Sequence, residues 1–343
     1  MDDQAIKHLR AIDRTLRACA IGAVLLLAVW VLRDILLLGF AAVLLACILR
    51  GAGEIVRGNS RLSSGASLAV VVTTALAVIG LLLWWRGAVI ADYTVQLTTE
   101  LSDQVQQLWE TLNASEWGSF LAKQVRSGAE SLRSGLSGYF PGVAMSVLGI
   151  GGTTIVVIAT AAFLATSPQM YLTGALRLLP VDWRPRGREV AQKIAHTLQL
   201  WFVGQLIDMV IVGVLIGIGL WLLGVPLALT LALFAGLLNF VPYVGALAGA
   251  VPAILVALSQ SPSMALWVAL LFVGVQMLEG NVVAPLIQKR TIALPPALTI
   301  LCQTVLGTLF GVFGLVIATP LIAAMLTAVR LIYIEDVLER DEP

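Results

Sequence analysis

The sequence predicts an all-α protein that crosses a membrane several times, and its composition and the length of its apolar runs both support this fold class. The chain has 343 residues, of which 59% are hydrophobic and only 12% carry a charge. A soluble domain of this size needs a larger charged surface. The apolar runs predict about six spanning helices and two helical hairpins that enter the membrane and return, or about eight hydrophobic segments in all.

The first 90 residues are predicted to form N-terminal membrane helices. Apolar runs at 18–32 and 35–49 are separated only by Arg33 and Asp34. Each run would be about 22 Å long, which is short of the ~30 Å hydrocarbon layer, so a thin hairpin is expected. Basic residues flank both ends of this hairpin, which favours a cytoplasmic N-terminus and a retained first helix. A third span is expected at about 66–85.

Residues 91–140 are predicted to form an amphipathic helical segment outside the cytoplasm. Apolar side chains recur there every three or four residues, and the polar face is mostly acidic. Packing or subunit contact is the favoured role, and a lid over a substrate is the alternative. Residues 141–199 then supply a membrane helix, at about 142–166, and a basic cytoplasmic connection.

Two uncharged segments of 33 residues, 226–258 and 297–329, are each too long for one ordinary span. As a single helix, either would be about 50 Å long. Residues that interrupt helices lie near the middle of both segments: Asn239, Pro242 and Gly245 in the first, and Gly307, Gly311 and Gly314, followed by Pro320, in the second. We therefore expect two re-entrant hairpins, with a single kinked crossing as the alternative for each.

The two segments belong to a weak internal duplication. The sequence Gln205-Leu-Ile-Asp208 is echoed by Gln276-Met-Leu-Glu279, and in both copies a Pro-X-Ala-Leu-Thr stretch begins about 20 residues later. Each unit would be a spanning helix followed by a hairpin, and the two units would start on opposite sides of the membrane. Residues 200–330 are thus predicted to be an inverted-repeat transport core, followed by a cytoplasmic tail at 331–343.

The acids of this duplication, Asp208 and Glu279, are the candidates for ion or proton coupling. Both lie well inside apolar helices, where a carboxylate is costly and usually lines an interior path. The alternative is a structural role, in which they tie helices to the hairpin backbone and never titrate. The expected substrate- or ion-binding groups surround them: Gln205, Gln276, Asn239, Pro242, Tyr243, Gly245 and Asn281.

No sequence motif indicates catalysis, a metal site, a cofactor or nucleic-acid binding. The expected partners are therefore a small polar solute, H⁺ or Na⁺, the lipid bilayer and further copies of the chain.

Several short motifs resemble the autoinducer-2 exporter (AI-2E) family of bacterial permeases. They are Gly204-Gln205, Asn239-Phe-Val-Pro242-Tyr-Val-Gly245, Pro252, Leu278-Glu279-Gly280-Asn281-Val282 with Pro285, and Phe310-Gly311 through Gly314 to Ala318-Thr-Pro320. The resemblance implies an inner-membrane transporter, either an exporter of a furanone signal or a Na⁺(Li⁺)/H⁺ antiporter. Val203 departs from the basic residue expected before the Gly-Gln pair, and fewer glycines than expected surround Gly307.

Together these observations predict a secondary transporter of the bacterial inner membrane with both termini in the cytoplasm. It would export a small polar solute or signalling molecule, driven by H⁺ or Na⁺ through the two acids. The alternatives are a cation/proton antiporter without an organic substrate, and a passive channel or scaffold.

Overall fold

The computed structural model describes residues 27, 30–59, 65–67, 69–74, 154–288 and 294–338. The predicted amphipathic segment at 91–140 and most of the first and third predicted spans lie outside these residues. The helices, in chain order, are α1 (Arg33–Asn59), α2 (Gly65–Thr74), α3 (Thr154–Thr166), α4 (Pro168–Leu176), α5 (Arg184–Leu222), α6 (Ala228–Leu238), α7 (Val244–Gln260), α8 (Pro262–Leu278), α9 (Ala284–Gln288) and α10 (Pro296–Val329).

The fold class predicted from the sequence is confirmed. Within the described residues, four helical stretches are long and apolar enough to cross a membrane, and the bent pair α3–α4 makes a fifth if it counts as one span. Many large apolar side chains on these helices are exposed, which is the arrangement expected where lipid covers the surface. The protein is therefore an all-α, multi-pass membrane protein.

Helix α1 is longer than the apolar run that predicted it. The helix continues from Arg33 to Asn59, past the expected end at residue 49. Arg50 and Glu54 lie one turn apart in the extension, and their side chains approach to 3.6 Å. Charged residues thus continue the helix beyond the apolar layer. Its Leu44 packs in one apolar cluster with Leu198 of α5.

Helix α5 also begins earlier than expected, at Arg184 rather than near residue 200, and has a proline in its first turn. Its 39 residues span about 58 Å, so the basic first third extends beyond a ~30 Å hydrocarbon layer. One side of the helix carries a buried stripe: Gly204, Gln205, Asp208, Val212, Ile216 and Leu220. The opposite side exposes Val210, Val214 and Ile218. The exposed apolar side of α5 can therefore contact lipid, and Asp208 points into the bundle.

Segment 226–258 is a helical hairpin. Helices α6 and α7 pack against each other across a turn at 239–243. A methyl group added at Gly249 would come within 2.9 Å of the Ala235 Cα atom, and one at Gly245 would overlap the carbonyl oxygen of Leu238. Glycine is needed at both positions because the two backbones approach so closely. The predicted break at Asn239, Pro242 and Gly245 therefore coincides with a reversal of the chain.

Segment 297–329 also folds back, although its helical hydrogen bonding is nearly continuous. The Gln303 Nε2 atom lies 3.4 Å from the Thr319 Oγ1 atom. Sixteen residues of straight helix would separate them by about 24 Å. The chain reverses at Gly311, whose φ of 64° and ψ of −146° are not helical. On the facing arms, a methyl group at Gly314 would overlap the carbonyl oxygen of Leu306.

The two hairpins enter the bundle from opposite ends of α5. The open end of the first lies beside the C-terminal end of α5, where Ala228 and Leu258 share an apolar cluster with Leu220. The open end of the second lies beside the N-terminal part of α5, where the hydroxyl oxygens of Thr327 and Thr197 are 3.4 Å apart. Whether the two units are copies of one repeat stays a prediction.

Candidate functional site

The buried stripe of α5 places the first acid inside the bundle. Gln205 and Asp208 are three residues apart, so both side chains point inward from the same face, and each is 8% exposed. Gly213, one turn farther along, lets α6 approach closely, because its Cα atom lies against Gly236. The close approach of α6 brings the turn of the first hairpin to the level of Asp208.

The second acid comes from α8, which runs antiparallel to α5. Leu271 packs against Gly219, and Ile287 packs against Gly204. Between these two contacts, Glu279 begins a π-helical turn that ends at Val283. Pro285 lies two residues beyond Val283 and has no N–H to continue the α-helical hydrogen bonding, which accounts for the local widening of the helix.

Asn239, at the turn of the first hairpin, joins these elements. Its Nδ2 atom donates a 2.7 Å hydrogen bond to Asp208 Oδ2. Gln205 Nε2 donates a 2.8 Å bond to the Asn239 carbonyl oxygen, which the end of α6 leaves unpaired. The next residue, Phe240, makes an edge-to-face contact with Trp201, with ring centroids 5.9 Å apart. The turn is therefore held to α5 by the side chain and the carbonyl group of Asn239 and by the ring of Phe240.

The same turn contains a strained residue. Tyr243 has a φ of 64° and a ψ of −55°. The N–H of Val244 donates to the Pro242 carbonyl oxygen at 2.7 Å, which closes a three-residue γ-turn around Tyr243. A non-glycine residue in this conformation costs about 1–3 kcal/mol, and such strain is concentrated at functional sites. Gly245 follows immediately and is buried.

Asp208 and Glu279 form a buried carboxyl pair. Each is 8% exposed, and the two carboxyl groups lie close enough to interact directly. Among the described residues, no Lys, Arg or His side chain forms an ion pair with either acid. Two adjacent buried negative charges repel each other strongly, so a proton or a cation is needed to neutralise the pair.

Within the part of the chain that the structure describes, two oxygen atoms at this site have no hydrogen-bond partner. They are Asp208 Oδ1 and Asn239 Oδ1, and both are fully buried. Unpaired buried acceptors are costly, and oxygen atoms are the ligands that hard cations prefer. The described residues contain no cluster of three or more His, Cys, Asp or Glu side chains that could hold a metal ion. The arrangement is suited to exchange of a proton or a monovalent cation.

The other residues expected at the site lie at different distances from the acid pair. Gln276 belongs to the site, because its Nε2 atom donates to Glu279 Oε2 at 3.1 Å. Tyr243 is exposed, at 37%, and lies within electrostatic range of Glu279. Asn281 lies apart, because its side chain is exposed and donates to the Met277 carbonyl oxygen. Pro242 is at the γ-turn.

Among the described residues, no hydrogen bond joins the predicted turn residues of the second hairpin to the acid pair. Gly311 is at the reversal, Gly307 and Gly314 face the opposite arm, and Pro320 is buried. The structure adds two buried polar residues that the sequence reasoning missed, Gln303 and Thr319, which face each other inside the hairpin. A polar residue in each half of an uncharged 33-residue segment was the available signal.

Comparison with known proteins identifies the family of the chain. Residues 20–334 match the family described as AI-2E family transporters. The chain belongs to the AI-2E transporter family. Both hairpin segments and both acids of the candidate site fall inside the matched region, so membership applies to the whole described bundle.

Individual members of the AI-2E family are similar to this chain over different lengths. YueF of Bacillus subtilis is 29% identical over 278 residues, which is 75% of each chain. YrrI of the same organism is 35% identical over 148 residues, covering 43% of this chain and 42% of YrrI. YhhT of Escherichia coli is 30% identical over 160 residues, covering 46% of this chain and 41% of YhhT. All three are provisionally named transport proteins.

Proposed function

We propose that this membrane transporter exports a small polar solute or signalling molecule and couples export to H⁺ or Na⁺ at the Asp208–Glu279 pair. The observation that carries the proposal is the meeting of two buried carboxyl groups and Asn239. Among the described residues this site has no basic partner, and two of its oxygen atoms are unpaired. Binding and release of a proton or cation would change the charge of the site, and with it the stability of the turn that Asn239 anchors.

The arrangement of the hairpins supports alternating access. The first hairpin brings its turn to the acid pair from one end of α5, and the second enters from the other end. We propose that 200–330 is an inverted repeat whose two halves exchange conformations, so that the site opens to one side at a time. The basic first third of α5 would lie in the cytoplasm of a bacterial cell, and the N- and C-termini would share that side. Homo-oligomerisation is proposed for the N-terminal helices and the external segment.

A second candidate is a Na⁺(Li⁺)/H⁺ antiporter with no organic substrate. It is favoured by the same observation, because the unpaired oxygen atoms of Asp208 and Asn239 suit a small monovalent cation. Passive conduction is the third alternative, in which the acid pair has a structural role only.

One experiment separates the three candidates. The purified protein is reconstituted in liposomes that contain a pH-sensitive dye, and Na⁺, Li⁺ or K⁺ is added outside with no organic solute. Proton movement that requires Na⁺ or Li⁺ supports the antiporter. A solute exporter should show no proton movement until a solute is trapped inside the liposomes. It should then move that solute only in the presence of an ion gradient. Solute flux that is independent of every ion gradient would contradict the coupled mechanism.

A further inference from the structure

A second site lies on the basic side of the bundle, where α4 meets the start of α5. A cavity of about 380 Å³ opens there, lined by Thr173, Leu176, Arg177, Arg184, Pro185 and Arg188. Three arginines thus line one cavity, and no carboxylate among the described residues lines it. This cavity is remote from the acid pair, because Arg188 precedes Asp208 by 20 residues on α5, or about 30 Å of helix.

The three arginines keep unused donors. Arg184 donates to the carbonyl oxygens of Leu179 and Arg177, at 3.2 Å and 3.4 Å. Arg188 donates once, to Gln169 Oε1 at 3.1 Å. Each guanidinium carries five N–H donors, and within the described residues none of the three forms an ion pair with an acid. The three arginines therefore form a positively charged cluster beside the cavity, with N–H donors left for an anion.

Arg186, on the same helical turn, shows that acids are within reach of this part of α5. Its guanidinium donates to Glu189 Oε2 at 2.8 Å and to Asp336 Oδ2 at 3.0 Å, and it also donates to the Leu331 carbonyl oxygen at 2.9 Å. Arg186 is thus occupied by the C-terminal segment. The chain neutralises one arginine of this turn and leaves its neighbours facing a cavity.

The surroundings of the cavity indicate a membrane interface. The chain bends by 89° between α3 and α4, so α4 lies across the direction of the preceding helix. Between α4 and α5, Leu178, Val181 and Trp183 are 89%, 69% and 58% exposed. Apolar side chains and a tryptophan exposed next to arginines are typical of the level of lipid head groups.

We propose that Arg177, Arg184 and Arg188 bind the phosphate of an anionic phospholipid. The guanidinium groups would hold the phosphate oxygens, as arginine does wherever its planar donors meet such oxyanions. The exposed Leu178 and Val181 would lie against the acyl chains. The shared chemistry is phosphate, which a free phosphate ion could also supply, but the apolar rim favours the lipid.

The test measures binding of phosphatidylglycerol to the detergent-purified protein, by native mass spectrometry and by the rise in Tm. Phosphatidylcholine and sodium phosphate are the comparison ligands. The variant Arg177→Gln/Arg188→Gln removes two of the three charges and keeps Arg184, which braces the local backbone. We expect its affinity for phosphatidylglycerol to fall at least about tenfold, since even one hydrogen bond to a charged group contributes that much.

Two variants serve as controls. Arg50→Gln/Arg57→Gln removes two charges from α1 and should bind the lipid as the wild type does. Arg177→Lys/Arg188→Lys keeps the charge and should retain most of the affinity, which separates lost binding from lost folding. Equal loss in the α1 control, or unchanged binding in the Arg177→Gln/Arg188→Gln variant, would overturn the proposal. Wild-type protein that responds to sodium phosphate but not to phosphatidylglycerol would overturn the lipid assignment.

Discussion

The two hairpins share a backbone shape but differ in chemistry. Each is an uncharged segment that reverses near its middle, and each has a glycine whose added methyl group would overlap the opposite arm. The turn of the first hairpin forms hydrogen bonds with another helix, because Asn239 contacts Asp208 and Gln205 on α5. The second keeps its polar groups between its own arms, as Gln303 and Thr319 show. Close packing is thus common to both, and among the described residues the hydrogen bond to the buried acid Asp208 comes from the first hairpin.

The sharpest way to break this comparison is to remove the polar group of each hairpin. Asn239→Leu takes the only described hydrogen-bond donor from Asp208 Oδ2, in a residue that is 0% exposed. We expect transport to stop and stability to fall by about 3 kcal/mol, because a buried carboxylate loses its partner. Thr319→Val removes one long 3.4 Å bond and should cost about 1 kcal/mol with transport retained. Transport assays and thermal unfolding check both; equal loss of transport would contradict the division of roles.

By contrast, substitutions that disturb the packing between the arms should lower the stability by similar amounts in the two hairpins. Gly245→Ala and Gly314→Ala each force a methyl group onto a carbonyl oxygen of the facing arm. Each substitution should lower the stability by about 1–3 kcal/mol through overpacking. Gly274→Ala, on α8, is the matched control, because nothing lies within 4 Å of its added methyl group. Thermal unfolding in detergent should show a lower Tm for Gly245→Ala and for Gly314→Ala, and an unchanged Tm for the control.

The two turns should differ in their response to substitution, and one of them should show the smallest effect. Gly311 has a backbone conformation that other residues rarely adopt, so Gly311→Ala should cost about 1–3 kcal/mol. Tyr243 is already a strained non-glycine residue. Tyr243→Gly should therefore change stability by less than about 1 kcal/mol, because relief of strain offsets the added freedom of the unfolded chain. A large loss on Tyr243→Gly, measured by Tm, would show that the side chain itself holds the turn.

The sequence alone was sufficient to locate the hairpin breaks and to single out the two acids as candidates. A 33-residue segment without charge is too long for one span, and Asn239, Pro242 and Gly245 mark its middle. A carboxylate such as Asp208 inside an apolar helix is rare enough to attract attention by itself.

The ends of the helices and the partners of the acids required the structure. Hydropathy locates the apolar layer but not the end of a helix, so α5 was expected near residue 200 and begins at Arg184. The bond between Asp208 and Asn239 joins residues 31 apart in the sequence and depends on the packing of α6 against α5. Asn281 was grouped with the site by its position near Glu279, whereas its side chain bonds within its own helix.

Coupled transport by the buried acids is tested most directly with Asp208→Asn and Glu279→Gln, each reconstituted in liposomes beside wild-type protein. Both substitutions keep the size and polarity of the side chain and remove only its charge. Glu54→Gln, an exposed acid of α1, is the matched control. We predict that ion-driven flux falls to the level of protein-free liposomes in both acid variants and is unchanged in the control. Ion-driven flux at the wild-type rate in Asp208→Asn and Glu279→Gln would contradict the proposed role of the pair.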